Sequence, residues 1–590
     1  MSLVNLTINN KPISVPKGTT ILEAAKKLNI KIPSLCHLHM DEVNIINQCS
    51  SCRVCMVTAG RGLVPACGTL VKEGMIVQTN TKEAINARKH VVELLLSDHP
   101  QDCLICERNG NCELQSIAAD LGIRKIKFNG EKSTYPIDNS TKSIVKNYDK
   151  CILCRRCETM CNDIQTVGAL SGVNRGFNTR IGTFFNSNLC DTECTFCGQC
   201  ISVCPTGALT EVNNTPTVWN YLNQNEKIVV VQVAPAVRVA IGEEFGLEAG
   251  SISTGKMVAA LKALGFKYVF DTNFGADLTI IEEATEFLNR FTQNKNLPIL
   301  TSCCPAWINF IEKNYPKHLN LISSCKSPQE MFGSMAKHYF APKILNIAPK
   351  DIIVVSIMPC VAKKYECSRN ELSQENILDV DISITTRELA KMIKEAGIDL
   401  LNLEEKPFDN HLSESTGAAD IFGVTGGVLE AALRTAYELA TNKELENVNF
   451  TSVRGFEGIK EASIDINGDI VNVCVASTLG NARKVMDEVV SGKSKYHIIE
   501  IMACPGGCVA GGGQPYHHGN YDIIKKRALA LYNIDANKKL RKSHTNTSIL
   551  KLYNEFLDKP CSSTAHKYLH TNFFDKSYTY NKYEVLDTNE

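Results

Sequence analysis

Several thiolates can share one metal group only if the chain delivers them to one point, and this sequence is organised around that demand. It carries 26 Cys in 590 residues, seventeen between Cys36 and Cys204 and nine beyond. Disulfides belong to small secreted domains. This chain is long, and its opening, MSLVNLTINNKPISV, has neither the basic start nor the apolar run of a secretory signal. Cys-x2-Cys steps recur at Cys52/Cys55, Cys103/Cys106, Cys151/Cys154/Cys157 and Cys194/Cys197/Cys200. That spacing sets neighbouring thiolates on one ion or cluster. The expectation is a metal-binding chain in a reducing, cytoplasmic compartment. The 63 basic residues balance 63 acidic ones, which argues against a broad basic face for nucleic acid or a membrane surface. No run of 18 uncharged apolar residues offers a membrane span.

Five segments follow from texture. Residues 1–80 open with the strand-like runs LVNLTI and PISV, then an amphipathic helix, TTILEAAKKLNI, with a Thr N-cap. Cys36, Cys52, Cys55 and Cys67 occupy the loops that follow. Residues 81–125 begin with the helix KEAINARKHVVELLLSDH and carry His99, Cys103, Cys106 and Cys112. Residues 140–212 hold an internal repeat, CILCRRCETMC and CTFCGQCISVCP. From 213 to 540, apolar strands alternate with amphipathic helices, which indicates an α/β core with its ligand site at strand C-terminal ends. Three of those ends carry Cys303/Cys304, Cys360 and Cys504/Cys508. Residues 541–590 are polar and rich in Lys, Asn and Tyr, and read as a surface wrap or accessory segment.

The repeat is the most specific signal. Cys-x2-Cys-x2-Cys-x3-Cys-Pro is the run of two-cluster bacterial ferredoxins, whose fourth Cys serves the other cluster. One four-iron cluster is therefore assigned to Cys151, Cys154, Cys157 and Cys204, and a second to Cys194, Cys197, Cys200 and Cys161. In the first segment a plant-type two-iron cluster needs a Cys pair and two outlying Cys. Cys52 and Cys55 are taken as the pair because CRVC leads into the next strand, with Cys49 as a spare thiol. His99-x3-Cys103-x2-Cys106-x5-Cys112 fits a zinc site as well as a four-iron cluster with one imidazole ligand, and spacing leaves both open; the four-iron cluster is the working expectation. His90 is the less well placed competitor to His99. Cys304, Cys360, Cys504 and Cys508 lie among Gly and Pro, which let backbone approach a large ligand.

TSCCPAW at 301–307, MPCVAKKYE at 358–366 and EIMACPGGCVAGGGQP at 500–515 together resemble the iron-only, or [FeFe], hydrogenases of the long, multi-cluster type. The resemblance implies a multidomain α/β chain. It would comprise a plant-type ferredoxin β-grasp domain, a small His/Cys cluster domain, a bacterial two-cluster ferredoxin domain and a large α/β H-cluster domain. It implies one 2Fe-2S cluster, three accessory 4Fe-4S clusters and an H-cluster, a cubane joined to a two-iron unit bearing CO, cyanide and azadithiolate. Cys304, Cys360, Cys504 and Cys508 would hold the cubane, with Cys508 as the bridge. Ala234, Pro235, Ser327, Gln329, Met358 and Met502 would line the two-iron unit, with Lys363 donating to cyanide. The implied proton relay is Cys303, Glu283, Ser323, Glu286. From periodicity alone, Glu283 and Glu286 share a helix face that would ordinarily be solvated.

The activity implied by the resemblance is that of a ferredoxin-dependent hydrogenase, reversible reduction of protons to H2, with ferredoxin or flavodoxin as donor. Maturation proteins would build the two-iron unit, and the chain would act as a monomer in bacterial cytoplasm, or alternatively in a hydrogen-producing organelle. An iron–sulfur assembly scaffold would keep the cubane Cys without Cys303, Lys363 and both Met. A respiratory electron-transfer subunit would lack TSCCP, MPC and CPGGC. No strand is followed by a G-x-G-x-x-G, so direct NAD reduction by this chain is not expected. Cys190, Cys325, Cys367, Cys474 and Cys561 are left as structural thiols.

Overall fold

The computed structural model describes residues 2–47, 50–60, 62–224 and 226–577. The spare-thiol assignment of Cys49 and the end of the C-terminal segment lie outside them. Strands Leu3–Ile8 and Lys11–Pro16 pair as a hairpin whose two turn residues, Asn9 and Asn10, take φ of 47° and 63°. Asn tolerates this left-handed backbone, which suits the twist of a hairpin. Val4, Leu6 and Ile8 alternate inward, as a strand with one buried face requires. Thr20 and Glu23 form a reciprocal capping box that starts the helix Ile21–Lys27. The five-stranded sheet is completed by Met75–Gln78, Met56–Ala59 and Gly62–Pro65.

Helix Lys82–Asp98 ends on His99, and helix Glu113–Asp120 starts directly after Cys112. The sequence repeat is also a repeat of backbone. Leu153 and Arg155 have φ of 53° and 62°, and Phe196 and Gly198, 43 residues on in each case, have 60° and 71°. Each pair of left-handed residues folds a Cys run back on itself, and each run then enters a short helix, Arg156–Thr159 or Gln199–Val203.

The C-terminal half contains two four-stranded sheets. One is wholly parallel, in the order Tyr268–Asp271, Ile228–Val233, Ile352–Met358, Ile382–Thr385. The other runs Ile299–Leu300, Ile498–Met502, Asp469–Ser477, Ile459–Ile466, with only the last pair antiparallel. Long apolar runs such as Ile352–Met358 are buried along their whole length, as strands covered on both faces are. The segment after 540 differs from a surface wrap. Ile549, Leu552, Leu557, Ala565 and Leu569 are buried in one core with Phe270, Phe274 and Phe332. Its polar composition masks an apolar stripe on the short helices Thr547–Leu552 and Ser563–Leu569.

The ferredoxin-like repeat meets the C-terminal half at backbone contact. A Cβ on Gly198 would stand 2.2 Å from Val361 and 3.4 Å from the Cα of Gly512. Gly198→Ala is therefore expected to combine the left-handed cost, about 1–2 kcal/mol, with about 1–3 kcal/mol of overpacking. Gly246 has φ +86° but open space around it, so Gly246→Ala should carry only the first cost. Thermal unfolding of the two variants checks this; equal midpoints would show that the contact is slack.

Candidate active site and metal centres

The C-terminal ends of five parallel strands converge on one cavity of ≈ 90 Å³. Ile228–Val233 delivers Ala234 and Pro235, and Ile299–Leu300 delivers Cys303 and Cys304. Ile352–Met358 contributes Met358 and Cys360, Ile498–Met502 contributes Met502 and Cys504, and Tyr268–Asp271 contributes Thr272. Gln329, Lys363 and Cys508 complete the wall with Phe422. All four expected cubane Cys are thus brought together with Cys303. Burial pushes the thiols of Cys304, Cys360, Cys504 and Cys508 up, and the neighbouring thiols act in the same direction on the last three. A buried set of four such thiols suits a cationic iron–sulfur group, which takes them as thiolates.

Ser327 stands one layer back, not on the cavity wall. Its hydroxyl donates to Glu366 at 3.0 Å and accepts from Lys363 Nζ at 2.7 Å. Glu366 also accepts from Lys363 at 2.7 Å and from Gln329 Nε2 at 3.0 Å. Burial pushes the Lys363 ammonium down, but the Glu366 carboxylate outweighs it and the net shift is upward. Lys363 therefore reaches the cavity as a held cation. Glu366 was not picked out by sequence, although Lys363-x2-Glu366 is a helical i,i+3 pair within a motif already noted.

Of the residues expected to form a relay, Glu283 and Glu286 lie on the helix Asn273–Gln293 and Ser323 in the loop before Cys325, while Cys303 follows the strand Ile299–Leu300. Glu283 is buried, not solvated: burial raises its carboxyl to about 8, helped by Glu286, and Oε1 has no hydrogen-bond partner among the described residues. Ser323 contacts Glu283 and donates to Glu286 Oε2 at 2.8 Å. Glu286 is paired with Arg290 at 2.6 Å. Burial and the nearby Glu283 push the Cys303 thiol well up, so it holds its proton. Arg290 went unnoticed in the sequence because a surface Arg one helical turn from a Glu is commonplace.

The accessory Cys fall into groups. The Cys36 thiol hydrogen-bonds Cys52 and Cys67, and Cys67 N donates to Cys55 Sγ at 3.5 Å. Cys161, Cys194, Cys197 and Cys200 line one small cavity. Cys151, Cys157 and Cys204 surround the buried Lys146, and Cys154 is next to Cys157 and Cys204. Burial pushes the Lys146 ammonium down, but the cysteines around it outweigh that and its net shift is upward, a cation that sequence did not reveal. His99 is buried with Nδ1 unpartnered among the described residues, as a ligand nitrogen would be. Cys106 and Cys112 are half-buried and close to each other, while Cys103 is exposed.

Fold and site together define an iron–sulfur oxidoreductase. Residues 227–512 match the family described as iron only hydrogenase large subunit, C-terminal domain, and 521–576 match iron hydrogenase small subunit. Upstream, residues 2–82 match a 2Fe-2S iron-sulfur cluster binding domain. Residues 88–127 match the NADH-ubiquinone oxidoreductase-G iron-sulfur binding region, and 141–210 the ferredoxin-like domain of NADH-quinone oxidoreductase subunit 3. NADP-reducing hydrogenase subunit HndD of Solidesulfovibrio fructosivorans is 52% identical over 98% of this chain and 100% of its own length. Iron hydrogenase 1 of Clostridium pasteurianum is 42% identical over 96% and 99%. A solved structure of a variant of [FeFe]-hydrogenase HydA1 from Chlamydomonas reinhardtii superposes with a TM-score of 0.55 at 42% identity, covering 62% of this chain and 99% of that one. The chain belongs to the iron-only, [FeFe], hydrogenase family, in its long form with ferredoxin-like domains ahead of the H-cluster domain. No helix among the described residues is long and apolar enough to cross a membrane.

The Glu283 environment sets a pH dependence. Its carboxyl is raised from 4.5 to about 8, so between those values the unfolded chain ionises while the folded one stays protonated. Its stabilising contribution is full below pH 4.5 and is lost as pH rises through about 8. Glu283→Gln should flatten that decline relative to wild type in thermal unfolding across the same window. Parallel pH profiles for the two proteins would refute the burial-driven shift.

Proposed function

We propose that this chain reduces protons to H2, reversibly, at the cavity holding Cys304, Cys360, Cys504 and Cys508, with electrons passed through the upstream clusters. The observation that carries this is the joint presence of four thiols, Cys303, Lys363, Met358 and Met502 on one wall. An H-cluster held by Cys304, Cys360, Cys504 and Cys508 would supply the redox chemistry that joins two protons and two electrons as H2. Ala234, Pro235, Gln329, Met358 and Met502 exclude water from the two-iron unit, and Lys363, held by Ser327 and Glu366, presents an N–H donor to it. Protons travel from Glu286 through the Ser323 hydroxyl to Glu283, then to Cys303 Sγ. Each group is neutral or restored to its starting charge after one transfer.

The finer architecture rests on the same residues. A plant-type β-grasp domain, residues 1–80, carries one 2Fe-2S cluster on Cys36, Cys52, Cys55 and Cys67. A His/Cys domain, 81–125, uses His99, Cys103, Cys106 and Cys112. The two-cluster domain, 140–212, takes the crossed sets given above, supported by the grouping of Cys161 with Cys194, Cys197 and Cys200. The H-cluster domain spans 213–540, followed by the accessory segment 541–590. That makes one two-iron and three accessory four-iron clusters. Dedicated maturation proteins install the two-iron unit.

The donor is a ferredoxin-type carrier, or flavodoxin, acting on a monomer in the cytoplasm. The full-length match to a subunit of an NADP-reducing hydrogenase favours a second reading, in which electrons come from a partner subunit that handles NADP(H). H2 evolution by the isolated chain with reduced ferredoxin supports the first reading; none with ferredoxin, and evolution from NADPH only once a partner subunit is added, supports the second.

Infrared spectra of matured protein should show bands of metal-bound CO and cyanide, absent after expression without maturation proteins. With a chemical reductant, Cys303→Ser and Glu283→Gln should each lower H2 evolution by about 10²–10⁴-fold, the usual worth of a proton-transfer group. Accessory-cluster spectra should be unchanged. Near-normal turnover in both variants would discard the relay, and missing CO bands would discard the H-cluster.

A further inference from the structure

Beyond Glu286 the hydrogen-bonded path does not stop. Ser324 Oγ donates to Glu286 Oε1 at 3.2 Å and meets His570 Nδ1 at 2.8 Å. The other ring nitrogen, Nε2, lies 3.0 Å from Glu282 Oε2, a fully buried carboxylate that also accepts from Cys561 N at 2.8 Å. His570 closes the short helix Ser563–Leu569, and His566 stands one turn before it with ring centroids 4.0 Å apart. A potential ligand atom of Cys561, one of His566 and one of His570 all lie within 4.8 Å of one another.

We propose that Cys561, His566 and His570 form a binding site for a divalent cation that seeks thiolate and imidazole ligands, for which Zn2+ is the probe. One thiol and two imidazoles are a zinc donor set. Bond lengths of about 2.3 Å to sulfur and 2.0–2.1 Å to nitrogen need the ligand atoms to close by only about an ångström. The fourth position falls to water or to the Glu282 carboxylate beside the ring. His566 is exposed, so an ion reaches the site from solvent, while His570 is buried and fixed by its two neighbours. Binding replaces the Cys561 thiol proton, which leaves to solvent, and forms no other covalent bond.

The site would act as a brake. An imidazole passes a proton between Ser324 and Glu282 only while both nitrogens are free to exchange it. Whichever nitrogen takes the ion, that exchange ends. This consequence rests on the relay proposed above; the site itself does not.

Anaerobic, cluster-loaded protein is titrated with Zn2+ alone, retained zinc is counted after desalting, and H2 evolution from a chemical reductant is followed in parallel. The expected result is zinc retained by the wild type in excess over both His566→Ala and Cys561→Ser. Turnover should fall about ten- to a hundredfold in the wild type and hold in the variants. Equal zinc retention by all three proteins overturns the site. Zinc retained by the wild type alone, with turnover unaffected, overturns the brake. Should Glu283→Gln prove fully active, the relay fails by itself, and the zinc count still decides the site.

Discussion

Thiolates repel one another, and the fold holds them in groups away from water, where charge is least tolerated. Without metal the cost appears as thiols pushed upward by burial and by one another, as at Cys360 and Cys508. A bound iron–sulfur group removes both penalties at once, so cluster insertion and native packing stabilise each other. The rest of the architecture is what that coupling requires. Paired left-handed residues fold the Cys runs of the repeat, and parallel strands end at one crevice.

Electron transfer needs those groups at fixed separations, and side chains hold the intervals. Asn47 donates to Cys154 O at 3.0 Å and also to Cys36 O, joining the loop of Cys36 to that of Cys154. Gln199 donates to Ala510 O at 3.0 Å and Gln165 to Ala503 O at 2.8 Å, tying the Cys194 and Cys161 loops to those of Cys508 and Cys504. Arg387 holds Glu211 at 2.6 Å and Gly512 O at 2.7 Å. All are buried or half-buried amide and guanidinium contacts to backbone or carboxylate, which cost 1–3 kcal/mol, roughly, if left unmade. Together these contacts link the Cys36 and Cys154 loops to each other, and the Cys161 and Cys194 loops to those of Cys504 and Cys508.

What was legible in the sequence was whatever chemistry is written locally. The Cys runs, the Thr20 cap, the strand ends at Cys304, Cys360 and Cys504 and the long helix carrying Glu283 all have short-range signatures, and each is present as read. Two kinds of feature were not legible. The hairpin Ile459–Ile466 with Asp469–Ser477 has exposed, polar outer positions that dilute its alternation. Features made by distant contacts left no local trace: Lys146 among Cys151, Cys157 and Cys204, or Leu569 in one core with Phe270, Phe274 and Phe332. Glu283 reads as a solvated helical Glu for the same reason, since what buries it comes from other segments.

That burial gives the two carboxyl groups different work. Glu286 accepts hydrogen bonds from Arg290, Ser323 and Ser324. Glu283, three residues earlier, has an oxygen without a partner among the described residues and keeps its proton near neutral pH. The inner positions, Glu283 and Cys303, are both uncharged at rest, so neither adds negative charge beside a centre that must accept electrons. In the proposed relay, a proton released inward from Cys303 would be replaced from Glu283, whose burial disfavours the carboxylate left behind and so favours its refilling. The direction of refilling follows from burial alone, while the overall direction of catalysis is left to the supply of electrons.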